Sequence, residues 1–290
     1  MTSTDTSTAK RPYTLANIRR YASFSQDGQG GNPAGVMISA SLPPEAEMQR
    51  LAHEVGYSET VFATHEDGIW RVRYFSPQAE VPFCGHATIA LGAALAETVG
   101  VGTFPLRLND GDISVDAATD DGGTLVALHS PSTRSRPATV ETISDMLSLF
   151  SFTESDLDPR IPPAIAEAGA THLILALKSR EKLAAMDYDL EQGRNMMLKW
   201  KLGTICLVHA TSNTDFAVRN AFASHGVFED PATGAAAAAF AGYLRDLDWP
   251  HEGRIIVHQG NEMGVPSRIC AEICQPFGSS IRVSGYVRPI

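Results

Sequence analysis

The sequence predicts an α+β protein built of two similar lobes, and three observations carry that prediction. Two helices of very small residues lie about half a chain apart, each entered through a Gly- or Pro-containing turn. Phe83-Cys84-Gly85-His86-Ala87-Thr88 runs into Ile89 to Leu95, and Glu229-Asp230-Pro231-Ala232-Thr233-Gly234 runs into a series of alanines before Phe240 to Leu244. Several strand-like segments and one surface helix accompany the first of these helices. After the polar, proline-containing stretch Ser130 to Val140, which reads as a linker, the same pattern begins again.

In chain order, residues 1–12 are Ser/Thr-rich and read as a disordered tail. Asn17 to Phe24 reads as a strand, Gly28 to Gly35 as a Gly-rich loop and Val36 to Ile38 as a strand. Pro43 and Pro44 open an amphipathic helix, Glu45 to Val55, with Met48, Leu51, Ala52 and Val55 on one face. Val61 to Ala63 and Ile69 to Phe75 form an expected antiparallel pair around Glu66-Asp67-Gly68. Leu106 to Val115 and Leu125 to His129 read as strands, closing a first lobe of residues 13–129. The second lobe, 130–275, begins with a helix at Ile143 to Phe150. Strands are expected at His172 to Leu177, Ile205 to Ala210, Phe216 to Phe222, Ile255 to Gln259 and Arg268 to Cys274, with a short helix at Arg180 to Met186. Gln259 to Ser267 reads as the turn between two of these strands. The last strand, Ser280 to Val287 within 276–290, is expected to complete the first lobe. The small-residue helices are apolar on every side, which places them at the lobe centres.

Composition excludes several classes. Hydrophobic residues make up 43% and charged residues 19%, an ordinary globular balance. A formal charge of −10 with no Lys/Arg block argues against nucleic acid, and Arg11, Arg19 and Arg20 form only a loose basic cluster. No apolar run is long enough to span a membrane and none resembles a signal peptide, so a cytoplasmic protein is expected. The four cysteines, Cys84, Cys206, Cys270 and Cys274, are too scattered for a disulfide framework. Cys270 and Cys274 share one strand face and read as buried thiols. No zinc spacing, Walker motif or nucleophile elbow is present, and Pro33 stands where a dinucleotide fingerprint needs its third glycine.

The candidate chemistry sits at the helix starts. A helix N-terminus offers unpaired N–H groups and a positive dipole end, so two facing ends would hold a small carboxylate. Glu59, at the entry to an apolar strand, is a candidate general acid or base, or else a surface carboxylate. His86, in the first turn of a helix, is a candidate neutral imidazole, or else a capping or core histidine. Asp230 is a candidate substrate partner, or else an N-cap. An acid, a histidine and a second acid on two matched turns favour a shared site.

These motifs resemble those of PhzF-like phenazine-biosynthesis proteins. Gly31-Asn32-Pro33-Ala34-Gly35-Val36, Ser58-Glu59-Thr60-Val61-Phe62, Cys84-Gly85-His86-Ala87-Thr88, Glu229-Asp230-Pro231-Ala232-Thr233-Gly234 and Gln259-Gly260 to Pro266-Ser267 occur in that family's order, across residues 13–290. The resemblance implies a diaminopimelate epimerase-like fold, with a mostly antiparallel sheet wrapped around a central helix in each lobe and the active site between them. It implies a cofactor-free, metal-free isomerase, commonly a homodimer. Glu59 would carry a proton between carbons of an amino-acid-like or cyclic diene carboxylate, as in trans-2,3-dihydro-3-hydroxyanthranilate isomerase, and His86 and Asp230 would orient it. Cys84, Gly85, Thr233, Gly234 and Ala235 would line the substrate. Ala235 stands where the family usually has a serine. Two alternatives follow: an amino-acid racemase or epimerase using Cys84, disfavoured because Asp230 replaces a second thiol, and a non-catalytic small-molecule-binding protein.

Overall fold

The computed structural model describes residues 13–290; the expected tail at 1–12 and Arg11 lie outside the described residues. After a 3-10 turn at Leu15–Asn17, β1 (Arg19–Ser25) pairs antiparallel with β2 (Asn32–Ile38). α1 (Glu45–Val55) follows and buries Met48, Leu51 and Ala52, worth about 1.5–3 kcal/mol for each of the two larger side chains. β3 (Thr60–Glu66) and β4 (Ile69–Phe75) form the expected hairpin, and Asp67 and Gly68 at its tip take φ of 49° and 85°. Left-handed backbone at both turn positions matches the twist of the flanking strands. β5 (Glu80–Val81) leads into α2 (Gly85–Val99), and β6 (Gly102–Arg107), β7 (Asp112–Asp120) and β8 (Gly123–His129) return as an antiparallel meander.

The second half contains β9 (Arg134–Pro137), α3 (Val140–Leu149), β10 (Ala164–Glu167) and β11 (Thr171–Ala176). Two outer helices follow, α4 (Arg180–Ala184) and α5 (Leu190–Lys199), then β12 (Thr204–Ala210), β13 (Asp215–Phe222) and β14 (Val227–Asp230). α6 (Gly234–Asp246) comes next, with β15 (Arg254–Gln259), β16 (Ser267–Ile273) and β17 (Ile281–Pro289). β17 pairs with β1 and β8 of the first half and with β16 of the second, joining one continuous sheet. The architecture is the expected α+β one, strands outnumbering helices and curling around two central helices.

α2 packs on β1, β2, β7, β8 and β17, and α6 on β9, β10, β16 and β17. Burial is unbroken from His86 to Leu95 and from Ala236 to Arg245, as a helix enclosed on all sides requires. Small residues are needed there because the sheets come close. A Cβ on Gly92 would lie 2.6 Å from Val126 Cγ1, and one on Gly242 would lie 2.7 Å from Thr133 Cβ.

Several expectations need correction. Leu106 to Val115 is two strands, because Asn109 to Gly111 forms a turn closed by the Leu108 N–H on the Gly111 carbonyl. The proposed linker holds β9, an exposed strand whose polar residues hide its pairing with β10. The Gly-rich loop shrinks, since β2 begins at Asn32 and Pro33 pairs with Ala22. β5, β10, α5 and β14 have no counterpart in the sequence reading. Cys274 falls just past β16 and is exposed, and Cys270 is only half-buried, so the buried-thiol reading fails for both.

Candidate functional site

Cys84 precedes α2 in an extended conformation (φ −144°, ψ 116°), so the first turn of α2 begins abruptly at Gly85. His86 sits in that turn and is held at its backbone by Ser23 Oγ, which donates to the His86 carbonyl at 2.7 Å. Glu59 ends the segment entering β3, and its carbonyl accepts the Gly35 N–H at 3.3 Å. The Glu59 side chain is 16% exposed and the His86 side chain 9%. Glu59 Oε2 and Ser58 Oγ each lie 3.3 Å from His86 Nε2, and Cys84 Sγ lies 3.3 Å from His86 Nδ1. Glu59, Cys84 and His86 therefore form one contact cluster.

Asp230 ends β14 rather than capping α6, whose N-cap is Thr233. Its Oδ1 accepts from Asn32 Nδ2 at 2.9 Å and its Oδ2 from Thr233 Oγ1 at 2.5 Å. Neighbouring Glu229 points the other way into a buried ion pair with Arg219. Burial pushes the Asp230 carboxyl up to about 6; His86 and the two donors hold it down, while Glu59 pushes it up. Burial, then the charges of Glu59 and Asp230, hold the Cys84 thiol well above its ordinary value, so it stays protonated. These influences place Asp230 in the same electrostatic field as Glu59, Cys84 and His86, from the opposite half of the chain.

The N-terminal ends of α2 and α6 meet at a small pocket lined by Gly85, Gly234, Ala235, Phe24, Phe83 and Leu128 among others. Gly85, Gly234 and Ala235 thus share a wall of one pocket. Glu59, Cys84, His86, Asp230 and Thr233 lie outside its lining, and Thr233 turns its hydroxyl to Asp230. A Cβ on Gly85 would meet nothing within 4 Å, so the space at the α2 end is open. Glu59, Cys84 and His86 bring ligand-type atoms within 4.8 Å of one another, a set that could hold a metal ion. The positive end of α2 opposes that use.

Three positions carry more than the sequence reading gave them. Asn32 grips Asp230 across the two halves, also donating to the Ala232 carbonyl at 3.0 Å. Ser58 contacts His86. Gln259 ties the α6 entry turn, donating to the Asp230 carbonyl at 2.6 Å and accepting from the Thr233 N–H at 3.2 Å. All three lie inside motifs visible in the sequence, but an Asn, a Ser or a Gln carries no charge that would single it out.

The family described as phenazine biosynthesis-like protein matches residues 21–286. An uncharacterized isomerase of Deinococcus radiodurans is 30% identical over 280 residues, covering 91% of this chain and 89% of that protein. The trans-2,3-dihydro-3-hydroxyanthranilate isomerase of Pseudomonas aeruginosa is 30% identical over 276 residues, covering 90% and 92%. The crystal structure of a Bacillus anthracis phenazine biosynthesis protein of the PhzF family superposes with a TM-score of 0.84 at 22% identity, covering 94% and 96%, and shares the fold.

Proposed function

This chain belongs to the phenazine biosynthesis-like protein family, and on that premise we propose that it is a cofactor-independent isomerase acting on a small unsaturated carboxylate. Glu59 takes a proton from a carbon made acidic by neighbouring unsaturation and returns it to another carbon. His86, 3.3 Å away, steadies the carboxylate as it changes charge. The free N–H groups at the starts of α2 and α6 hold the substrate's carboxylate or developing negative charge. Asp230 faces the substrate from the second half and orients an amine or hydroxyl. The observation that supports this reading best is the Glu59–His86 contact, set beside a pocket walled by both Gly85 and Gly234.

The protonated state of Cys84 works against a thiolate base and so against a cysteine-dependent epimerase. Ala235 gives the pocket wall no side-chain hydroxyl at that position. The division into lobes at 13–129 and 130–275, a homodimer and a cytoplasmic setting belong to the same proposal; no helix among the described residues is long and apolar enough to cross a membrane. The direct test incubates wild type and Glu59→Gln with trans-2,3-dihydro-3-hydroxyanthranilate and related dienes in D₂O. Deuterium enters carbon positions with wild type only. Equal incorporation by both proteins would remove Glu59 from the mechanism.

A further inference from the structure

A buried chain of polar side chains runs from β11 to Asp230, and its hydrogen bonds can be oriented without ambiguity. Gln259 fixes the direction. Its Oε1 accepts from the backbone N–H of Thr233 at 3.2 Å, and its Nε2 donates to the backbone carbonyl of Asp230 at 2.6 Å, so backbone groups decide which end of the amide is which. Gln259 Nε2 also donates to Thr233 Oγ1 at 3.0 Å. Once Asp230 is ionised its oxygens have no proton to give, so Thr233 Oγ1 must donate onward to Asp230 Oδ2.

In the other direction, Gln259 Oε1 accepts from Asn220 Nδ2 at 3.2 Å, which leaves Asn220 Oδ1 as the acceptor for the Thr204 hydroxyl at 3.0 Å. Thr204 Oγ1 has spent its proton, so its 2.8 Å contact with His172 Nδ1 requires the proton on Nδ1. His172, Thr204, Asn220 and Gln259 are each no more than 2% exposed. Every link donates towards Asp230. The two amides interrupt any proton conduction, so the chain orients and polarises without relaying protons. Burial alone lowers the His172 imidazole to about 4, keeping it neutral at ordinary pH.

From this geometry we infer that His172, Thr204, Asn220 and Gln259 are positioning residues, which act through Thr233 to fix the Asp230 carboxylate in one orientation and strengthen the donor it faces. The inference rests on the role proposed for Asp230. Aligned donors reinforce one another, and removing a remote link weakens the last one. The other groups facing Asp230 are His86 and Cys84 on the α2 entry, Glu59 before β3 and Asn32 on β2, and none belongs to the chain.

The test follows the Asp230 carboxyl by ¹³C NMR titration of the full-length protein, assigned with Asp230→Asn. Thr204→Val keeps the shape and removes the hydroxyl; it raises the Asp230 midpoint by about half a pH unit, while Thr204→Ser leaves it near wild type. An unchanged midpoint in a Thr204→Val protein that melts normally, or equal shifts in both variants, would overturn the inference. Should Thr204→Val fail to fold, ¹⁵N NMR of wild-type His172 decides: a proton on Nδ1 is expected, and a proton on Nε2 overturns it. Neither readout uses turnover, so each can fail independently of the isomerase reading.

Discussion

Asp230→Asn should change how stability depends on pH, the variant gaining on wild type as pH rises through a defined window. The Asp230 carboxyl is buried and holds its proton up to about pH 6 in the folded chain, against an ordinary value of 3.8. Between those values the folded state binds the proton that the unfolded state has released, so stability falls as pH rises through the window and stays lower above it. The gap between about 6 and 3.8 is about two units, or about 3 kcal/mol at 1.36 kcal/mol per unit. Asparagine keeps the shape and never ionises. Urea or thermal melts of wild type and variant at pH 4 and pH 8 provide the assay, because titrations remote from Asp230 cancel in the difference. The variant's advantage should grow by about 2.5 kcal/mol between the two pH values, pH 4 lying just above the ordinary value of 3.8, and that is roughly 4–8 °C in Tm for a chain of this size. An advantage independent of pH would refute the reasoning, because Asp230 would then titrate alike in both states.

The two glycines of α2 should separate function from folding. Gly85→Ala adds a methyl group into open space and leaves Tm near wild type, but it narrows the pocket and weakens substrate binding by about tenfold, read by titration calorimetry. Gly92→Ala drives a Cβ to within 2.6 Å of Val126 and destabilises by about 1–3 kcal/mol, read by urea melts. Iodoacetamide at pH 8 should label exposed Cys274 first and leave Cys84 unmodified, as mass spectrometry of the peptides would show. Labelling of Cys84 as fast as Cys274 would contradict its protonated, buried state.

Much of this site is legible in the sequence because its signals are local. Cys84-Gly85-His86 and Asp230 to Gly234 announce themselves as turns before helices too small-sided to be surface elements, and α2 and α6 are enclosed accordingly. Glu59 stands out as a carboxylate opening an apolar strand, and the fold brings it to His86. What the sequence conceals depends on distant pairing. β9 is polar and exposed, so only its register with β10 defines it as a strand. Asp230 resembles an N-cap until β14 pairs with β13 and turns its carboxylate to Asn32, nearly two hundred positions earlier. The chain from His172 to Gln259 crosses β11, β12, β13 and β15, and no periodicity within one strand encodes which polar side chains will meet between strands.

The central claim is that Glu59 moves a proton between carbons. Mass spectrometry or NMR of a diene carboxylate incubated in D₂O measures that transfer directly. Wild type should place solvent deuterium on carbon, and Glu59→Gln, folded to the same Tm, should reduce the rate by about 10²–10⁴-fold. A Glu59→Gln protein that exchanges at the wild-type rate would contradict the account.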